Sequence, residues 1–199
     1  MRLDQSEKAL FLRAFLAHPR RVGAVLPTSD RAVTDMLDMA ALEQAELVVE
    51  LGAGTGSHTA AVLARLGPQA HLLAFEIDPA LADALRTRLP DPRLQVVTGS
   101  AEAVEDVLGG RRPDIVVSAL PFTSLPAGTG RLILERTARV LAPQGVLLVL
   151  QYSPFIVREL SRLFARRDRR VCLRNVPPAF LYACREPITV GASAPEAGS

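Results

Sequence analysis

Apolar runs alternate with amphipathic stretches along most of this chain. Leu47-Val48-Val49 and His71-Leu72-Leu73-Ala74-Phe75 are apolar and unbroken, as strands covered on both faces are. Helical spacing follows each glycine or acidic break, and the alternation continues to about residue 150, which implies a parallel sheet. Upstream, Leu10, Phe11, Ala14 and Phe15 share one stripe of a helix over about 4–17, widened by Leu12 and Leu16 and ended by His18-Pro19. Gly23 to Ser29 reads as a loop, and Thr28 or Ser29 can cap a helix over about 30–40. Downstream, Ile156, Leu160, Leu163 and Phe164 line one face of a helix over 155–167, with Arg158, Arg162, Arg166 and Arg169 on the other. Two last runs, 169–175 and 179–186, flank Val176-Pro177-Pro178 and predict an antiparallel hairpin. The residues from Pro187 are small and polar and are expected to be a disordered tail, 187–199.

The chain has 199 residues, 49% hydrophobic, with a mean hydropathy of +0.21. That length suits one domain with its own core, here 1–186. No apolar run is long enough to span a bilayer. Arg2, Asp4, Glu7 and Lys8 stand where a secretory signal would need an apolar core, so a cytoplasmic protein is expected. Cys172 and Cys184 then read as free thiols. His18, His58 and His71 are scattered, and no Cys/His cluster has metal-ligand spacing.

The net charge of +2 conceals a pattern: Lys8 is the only lysine, and arginines gather at 13, 20 and 21 and again at 158, 162, 166, 167, 169, 170 and 174. Only Glu159 and Asp168 offset the second group. Such a run is either a solvated face or a surface for anionic partners, lipid headgroups or phosphates.

The chemistry concentrates at Glu50-Leu51-Gly52-Ala53-Gly54-Thr55-Gly56, directly after the first apolar run. A strand that ends in alternating glycines and opens into a helix, Ser57 to Leu66, is a nucleotide-binding turn, since the glycines allow a tight bend and close approach of a ligand. The second strand ends at Glu76, twenty residues past Gly56, where a carboxylate can accept both hydroxyls of a ribose.

Almost fifty residues precede this turn, and it opens on an acidic residue. In both respects it resembles the first motif of the class I S-adenosylmethionine-dependent methyltransferases. Glu76-Ile77-Asp78-Pro79 is similar to their ribose-binding turn, and Leu94 to Glu102 to their third strand and adenine-contacting loop. Asp114 to Phe122 resembles the fourth strand and the loop facing the methyl group, and Ala142-Pro143-Gln144-Gly145 to Leu150 the turn into the fifth. The resemblance covers about residues 20–186. It implies a Rossmann-like α/β fold with a seven-stranded mixed sheet, mostly parallel, and S-adenosylmethionine as cofactor. It places Ser29, Glu50, Gly52, Ala53, Gly54, Gly56, Glu76, Ile77, Ser100, Ala101, Glu102 and Ser118 at the donor. Where most of the family carries Asp, this chain has Ser100, which can accept a hydrogen bond, with Glu102 close by.

The acceptor must be argued separately. Enzymes acting on adenine N6 lead the loop after the fourth strand with Asn or Asp; here it reads Ser118-Ala119-Leu120-Pro121-Phe122, so a nucleic-acid partner is not expected. Phe11 to Ser29, Ser118 to Phe122, and Asn175 to Tyr182 together resemble the bacterial phospholipid N-methyltransferases, which act on phosphatidylethanolamine. In that family the N-terminal amphipathic helix touches the membrane and the loop after it closes over the cofactor. The resemblance thus implies a helix and lid loop over 1–29, a membrane lipid substrate, contact with an anionic surface at the inner face of the membrane, and Ser118, Pro121, Phe122 and Tyr182 at the acceptor. The N-terminal stripe can equally pack on the sheet. A soluble small-molecule methyltransferase and an enzyme like the ribosomal RNA adenine methyltransferases are the alternative readings.

Overall fold

A computed structural model describes residues 28–122, 124–126 and 128–188 of the chain. The N-terminal helix expected over 4–17 lies outside these, as does the tail expected over 187–199 apart from its first two residues, of which Pro187 ends the last strand and the Ile188 amide donates to the Leu163 carbonyl at 2.8 Å. Seven strands form one sheet in the order β3-β2-β1-β4-β5-β7-β6. They are β1 (Leu47–Leu51), β2 (His71–Glu76), β3 (Leu94–Thr98), β4 (Ile115–Ser118), β5 (Val146–Gln151), β6 (Phe164–Cys172) and β7 (Ala179–Pro187). The first five are parallel; β7 runs antiparallel to both β5 and β6. The chain is therefore an α/β Rossmann-like protein with a mixed, mostly parallel sheet and a C-terminal antiparallel hairpin.

Helices α1 (Asp30–Leu37), α2 (Ser57–Leu63), α3 (Pro79–Arg88), α4 (Val104–Leu108), α5 (Thr129–Val140) and α6 (Val157–Leu163) cover the sheet. The period of two along each strand divides the core. Val49, Leu51, Leu73, Phe75, Val116, Leu147 and Val149 face α4, α5 and α6, while Val48, Leu72, Ile115, Val117, Leu148 and Leu150 face α1 and α2. Both sets are apolar because helices pack on both faces. Ser29 caps α1 by accepting from the Ala32 amide at 3.2 Å, and Asp78 caps α3 by accepting from the Ala80 amide at 2.8 Å.

One boundary differs from the sequence pattern. The helix read over 155–167 ends at Leu163, and the strand read from 169 begins at Phe164. Phe164 continues the apolar row of Ile156 and Leu160, so periodicity alone could not end the helix there. Pairing decides it: Phe164 to Cys172 register against Pro187 to Ala179, giving this segment's backbone a complete partner. Only Phe164 and Cys172 of β6 are buried; the seven residues between are exposed. The arginines at 166, 167, 169 and 170 thus stand on an edge strand, where charge discourages pairing with another sheet.

Candidate active site

The order of the sheet reverses at β1, whose neighbours are β2 and β4. Above such a reversal the loops leaving the carboxyl ends diverge and open a crevice. Leu51 lies level with Phe75 of β2 and Ser118 of β4, so the loops after β1, β2 and β4 leave the sheet side by side. A pocket opens there between Gly52, the pair Glu76 and Ile77, the run Gly99 to Glu102, and Leu120. Its far wall is Leu125, Pro126, Thr129 and Ile133, from the start of α5 and the loop before it.

Glu76 organises the near wall. Its side chain is almost wholly buried, with Oε2 accepting from the Gly54 amide at 2.7 Å and Oε1 from the Asp78 amide at 2.8 Å. A carboxylate offers about four lone-pair sites, so acceptor capacity remains beyond these backbone bonds. Burial raises the pKa of this carboxyl, against the Asp78, Gly54 and Ile77 amides, which lower it.

Glu50 is also buried, between β1 and α2. The Thr59 hydroxyl donates to Oε2 at 2.6 Å, and Oε1 has no partner among the described residues. Burial pushes the pKa up to about 7 despite Thr59, and the nearby Glu76 charge adds to it. A buried acid left half satisfied marks a place for a donor or cation that the protein does not itself supply.

The glycines divide by role. Gly54 has φ +55°, and a Cβ there would meet no protein atom within 4 Å, so its bare face is open to a ligand. Gly52 has φ +82°, and a Cβ would sit 2.5 Å from Leu120 Cδ2, so this glycine is demanded by the loop after β4. We expect Gly54→Val, strained at this left-handed φ, to melt below wild type and to lose donor binding at temperatures where it is still folded. Calorimetry with S-adenosylmethionine beside a thermal melt checks it; normal affinity would show that no ligand approaches Gly54.

Of the residues expected at the donor, Gly52, Glu76, Ile77, Ser100, Ala101 and Glu102 line the pocket. Gly54 adjoins it through its bond to Glu76, whereas Glu50 is buried behind the loop against Thr59 and is not in the lining. Ala53 turns away and packs with Ala74 and Leu85. A Cβ at Gly56 would collide with Leu85 and Arg88 of α3, so that glycine serves packing of the turn. Ser100 caps the short turn 101–103 by accepting from the Glu102 amide at 3.1 Å, and its hydroxyl lies 3.3 Å from Glu102 Oε2. Ser118, fully buried, accepts from the Leu120 amide at 3.3 Å. Ser29 lies across the sheet end, its amide donating to Asn175 Oδ1 at 2.8 Å.

Phe122 and Tyr182 belong to the core cluster under α5 and α6. A Cβ placed on Gly130 would lie 3.5 Å from Phe122 Cδ1, so the ring and the start of α5 are closely packed. Tyr182 is level with Val149 in β5, and its hydroxyl has no partner among the described residues. His58, in the first turn of α2, is half-buried rather than exposed; burial lowers its pKa, so the ring is neutral at pH 7.

Thr129 and Gln151, in or beside the pocket, escaped the sequence reading, and Asn175 entered it only as part of a longer matching segment. Thr129 lines the pocket with its hydroxyl buried and without a partner among the described residues. The signal was Gly128, left-handed at the N-cap of α5. Gln151, at the end of β5, donates to the Leu120 carbonyl at 2.6 Å and so pins the loop after β4. Asn175 receives the Ser29 amide and donates to the Pro177 carbonyl at 2.7 Å, tying the start of α1 to the β6–β7 turn. Among the described residues no group of His, Cys, Asp and Glu could hold a metal ion.

A strand–glycine loop–helix with a buried carboxylate ending the second strand, beside a pocket at the sheet reversal, is the arrangement of a nucleoside-cofactor enzyme. A family model described as a methyltransferase domain matches residues 48–145. The chain is 33% identical over 181 residues to the ornithine lipid N-methyltransferase of Singulisphaera acidiphila, covering 88% of this chain and 94% of that protein. It is 30% identical over 119 residues to the trans-aconitate 2-methyltransferase of Methylobacterium radiotolerans, spanning 43% of that protein. The N-methyltransferase NodS of Bradyrhizobium japonicum, in complex with S-adenosyl-L-homocysteine, shares the fold with a TM-score of 0.70 at 14% identity, over 93% of this chain and 100% of NodS. The chain belongs to the class I S-adenosylmethionine-dependent methyltransferases and resembles their lipid N-methyltransferases. S-adenosylmethionine is its cofactor. The residues present are compatible with it: the buried Glu76 carboxylate lines the pocket and could accept from a ribose diol, and the face of Gly54 is open for close approach.

Proposed function

We propose that this protein methylates the headgroup amine of a membrane lipid, phosphatidylethanolamine or an ornithine lipid, at the inner face of the membrane. The observation that carries this reading is the identity to an ornithine lipid N-methyltransferase along nearly the whole of both chains. The loop after β4 supports it, since Ser118-Ala119-Leu120-Pro121-Phe122 lacks the leading amide or carboxylate that an adenine amine requires.

When bound, the cofactor supplies an electrophilic methyl group; the protein aligns an amine lone pair with it and keeps water out. Alignment alone can contribute on the order of 7–11 kcal/mol in ideal cases. Gln151 and Pro121 hold the loop that carries Ser118. Opposite, Thr28 and Ser29 are fixed by the Tyr152 hydroxyl, 2.7 Å from the Thr28 hydroxyl, and by Asn175. The acceptor amine enters between these two walls. Ser118 and the unpartnered Tyr182 hydroxyl are the groups we assign to receive hydrogen bonds from it.

The test offers labelled donor to phosphatidylethanolamine and ornithine lipid in mixed micelles, and to free ornithine, ethanolamine and RNA. We expect label in a lipid; label only in a soluble amine or in RNA overturns the reading. Two variants then probe the acceptor wall. Phe122→Ala removes a ring packed on α5 and is expected to lower the melting temperature and turnover together, at a core cost of about 3–5 kcal/mol. Tyr182→Phe removes a hydroxyl with no described partner, so stability and donor affinity should hold while turnover falls. Full turnover by Tyr182→Phe would take that residue out of the acceptor site.

A further inference from the structure

We propose that the sheet's carboxyl end carries its own membrane-docking face, formed by Phe155, Leu173 and Val176 within a ring of Arg158, Arg170 and Arg174. This rests on the reading of a lipid acceptor and names the surface that would present the site to a bilayer.

The large hydrophobic side chains exposed among the described residues are Phe155, Val171, Leu173, Val176 and Ile188. Single exposed apolar residues need no explanation. Here four of the five fall at one end of the molecule. Gln151, the last residue of β5, lies level with Phe180 of β7, and Phe180 with Val171 of β6. One step further Cys172 meets Ala179, and the turn carrying Leu173 and Val176 begins. Phe155 follows β5 by four residues, in the short turn Pro154–Ile156. Adjacent strands are about 4.8 Å apart, so β5, β7 and β6 bring these side chains to one rim. That rim is continuous with the carboxyl ends of β1, β2 and β4, where the cofactor pocket opens.

The exposures are large: Phe155 79%, Leu173 76% and Val176 70%. Phe155 and Leu173 project from turns, as side chains that enter an interface must. Around them Arg158, Arg170 and Arg174 are exposed, and none forms an ion pair among the described residues. Arg169 is likewise exposed without an ion pair among the described residues, whereas Arg162 pairs with Glu159, Arg185 with Asp168, and Arg167 donates to the Phe164 carbonyl. Apolar tips ringed by uncompensated cations match an anionic bilayer, whose headgroups meet the arginines while its acyl boundary takes the rings and branched chains. The first described residues also join the fold here, through Thr28 to Tyr152 and Ser29 to Asn175. A lipid headgroup lifted at this rim has a short path to the loops after β1 and β4.

Sedimentation of the full chain with phosphatidylcholine vesicles, with and without about 30% phosphatidylglycerol, tests the proposal. Wild type should bind the anionic vesicles at least tenfold better, less so in high salt. The triple variant F155S/L173S/V176S and the triple variant R158E/R170E/R174E should each lose at least tenfold in vesicle affinity. Both should keep wild-type melting temperature and S-adenosylmethionine affinity, because all six side chains are exposed and outside the cofactor pocket. Wild-type vesicle binding by both variants overturns the docking face and leaves the lipid acceptor standing. Failure of wild type to bind any vesicle, with label transferred to a soluble amine, overturns both. Arginine-dependent binding of RNA in place of vesicles overturns the docking face in favour of a nucleic-acid surface.

Discussion

Glu76→Ala is expected to lose at least tenfold in S-adenosylmethionine affinity and to melt below wild type. The affinity loss follows from the acceptor capacity left on the carboxylate beyond its backbone bonds. Hydrogen bonds to a charged group contribute about 1.5–3 kcal/mol each, so losing a ribose diol contact exceeds a factor of ten. The stability loss follows from the protein's own bonds. Without the carboxylate, the Gly54 and Asp78 amides lose their acceptor, and the turns after β1 and β2 are no longer tied together. Glu76→Gln separates the two effects. It keeps one oxygen for an amide but places an N–H where the other amide already donates, so it should remain impaired in both. Calorimetry at a temperature where each variant is folded gives the affinity, and a melt gives the stability. Unchanged donor affinity in Glu76→Ala would remove Glu76 from the cofactor site.

Glu50→Gln is expected to stabilise the cofactor-free protein at pH 8 and to weaken donor binding. Burial lifts the Glu50 pKa from 4.5 to about 7. The folded state therefore holds a proton that the unfolded chain has released, and stability falls as pH rises from about 4.5 to about 7, then levels. At 1.36 kcal/mol per pH unit the span amounts to about 3 kcal/mol. Gln cannot ionise, so the variant should lack this part of the slope and exceed wild type by about that amount at pH 8, with little difference at pH 4.5. Glu76, whose pKa burial also raises, contributes a slope of the same sign that remains in the variant, so the comparison rests on the difference between the two proteins. Donor affinity in wild type should rise with pH as Glu50 ionises towards a cationic ligand, and should lose that dependence in Glu50→Gln. Urea unfolding at several pH values checks the first part and calorimetry the second. Parallel stability curves for the two proteins would mean that Glu50 is ionised in both states.

Resting function on a buried, half-satisfied acid has a general cost. A site tuned to a cation destabilises the protein until the cation arrives, and the cofactor then contributes to folding stability by mass action. Glu50 Oε1, buried without a partner among the described residues, is where we expect this to show.

Much of the fold, and part of the lining of the candidate site, are legible in the residues alone, for a physical reason. Strands buried on both faces must be apolar throughout, a glycine turn must lack Cβ atoms where a ligand approaches, and the second strand must end in a carboxylate to reach a ribose. Each is a local requirement, so Val48, Gly54 and Glu76 announce themselves. The parallel core and the C-terminal hairpin follow from the same local patterns. What the sequence could not decide depends on partners distant along the chain. Phe164 fits a helix as well as a strand until β7 offers its backbone a register. Gln151 is an ordinary polar residue until the fold sets it against the Leu120 carbonyl, and Asn175 until it meets the Ser29 amide 146 residues away. Thr129 reaches the cofactor pocket only because α5 packs over the loop after β4. The gathering of Phe155, Leu173 and Val176 on one rim exists only once β5, β7 and β6 lie side by side, since their separation along the chain carries no trace of it.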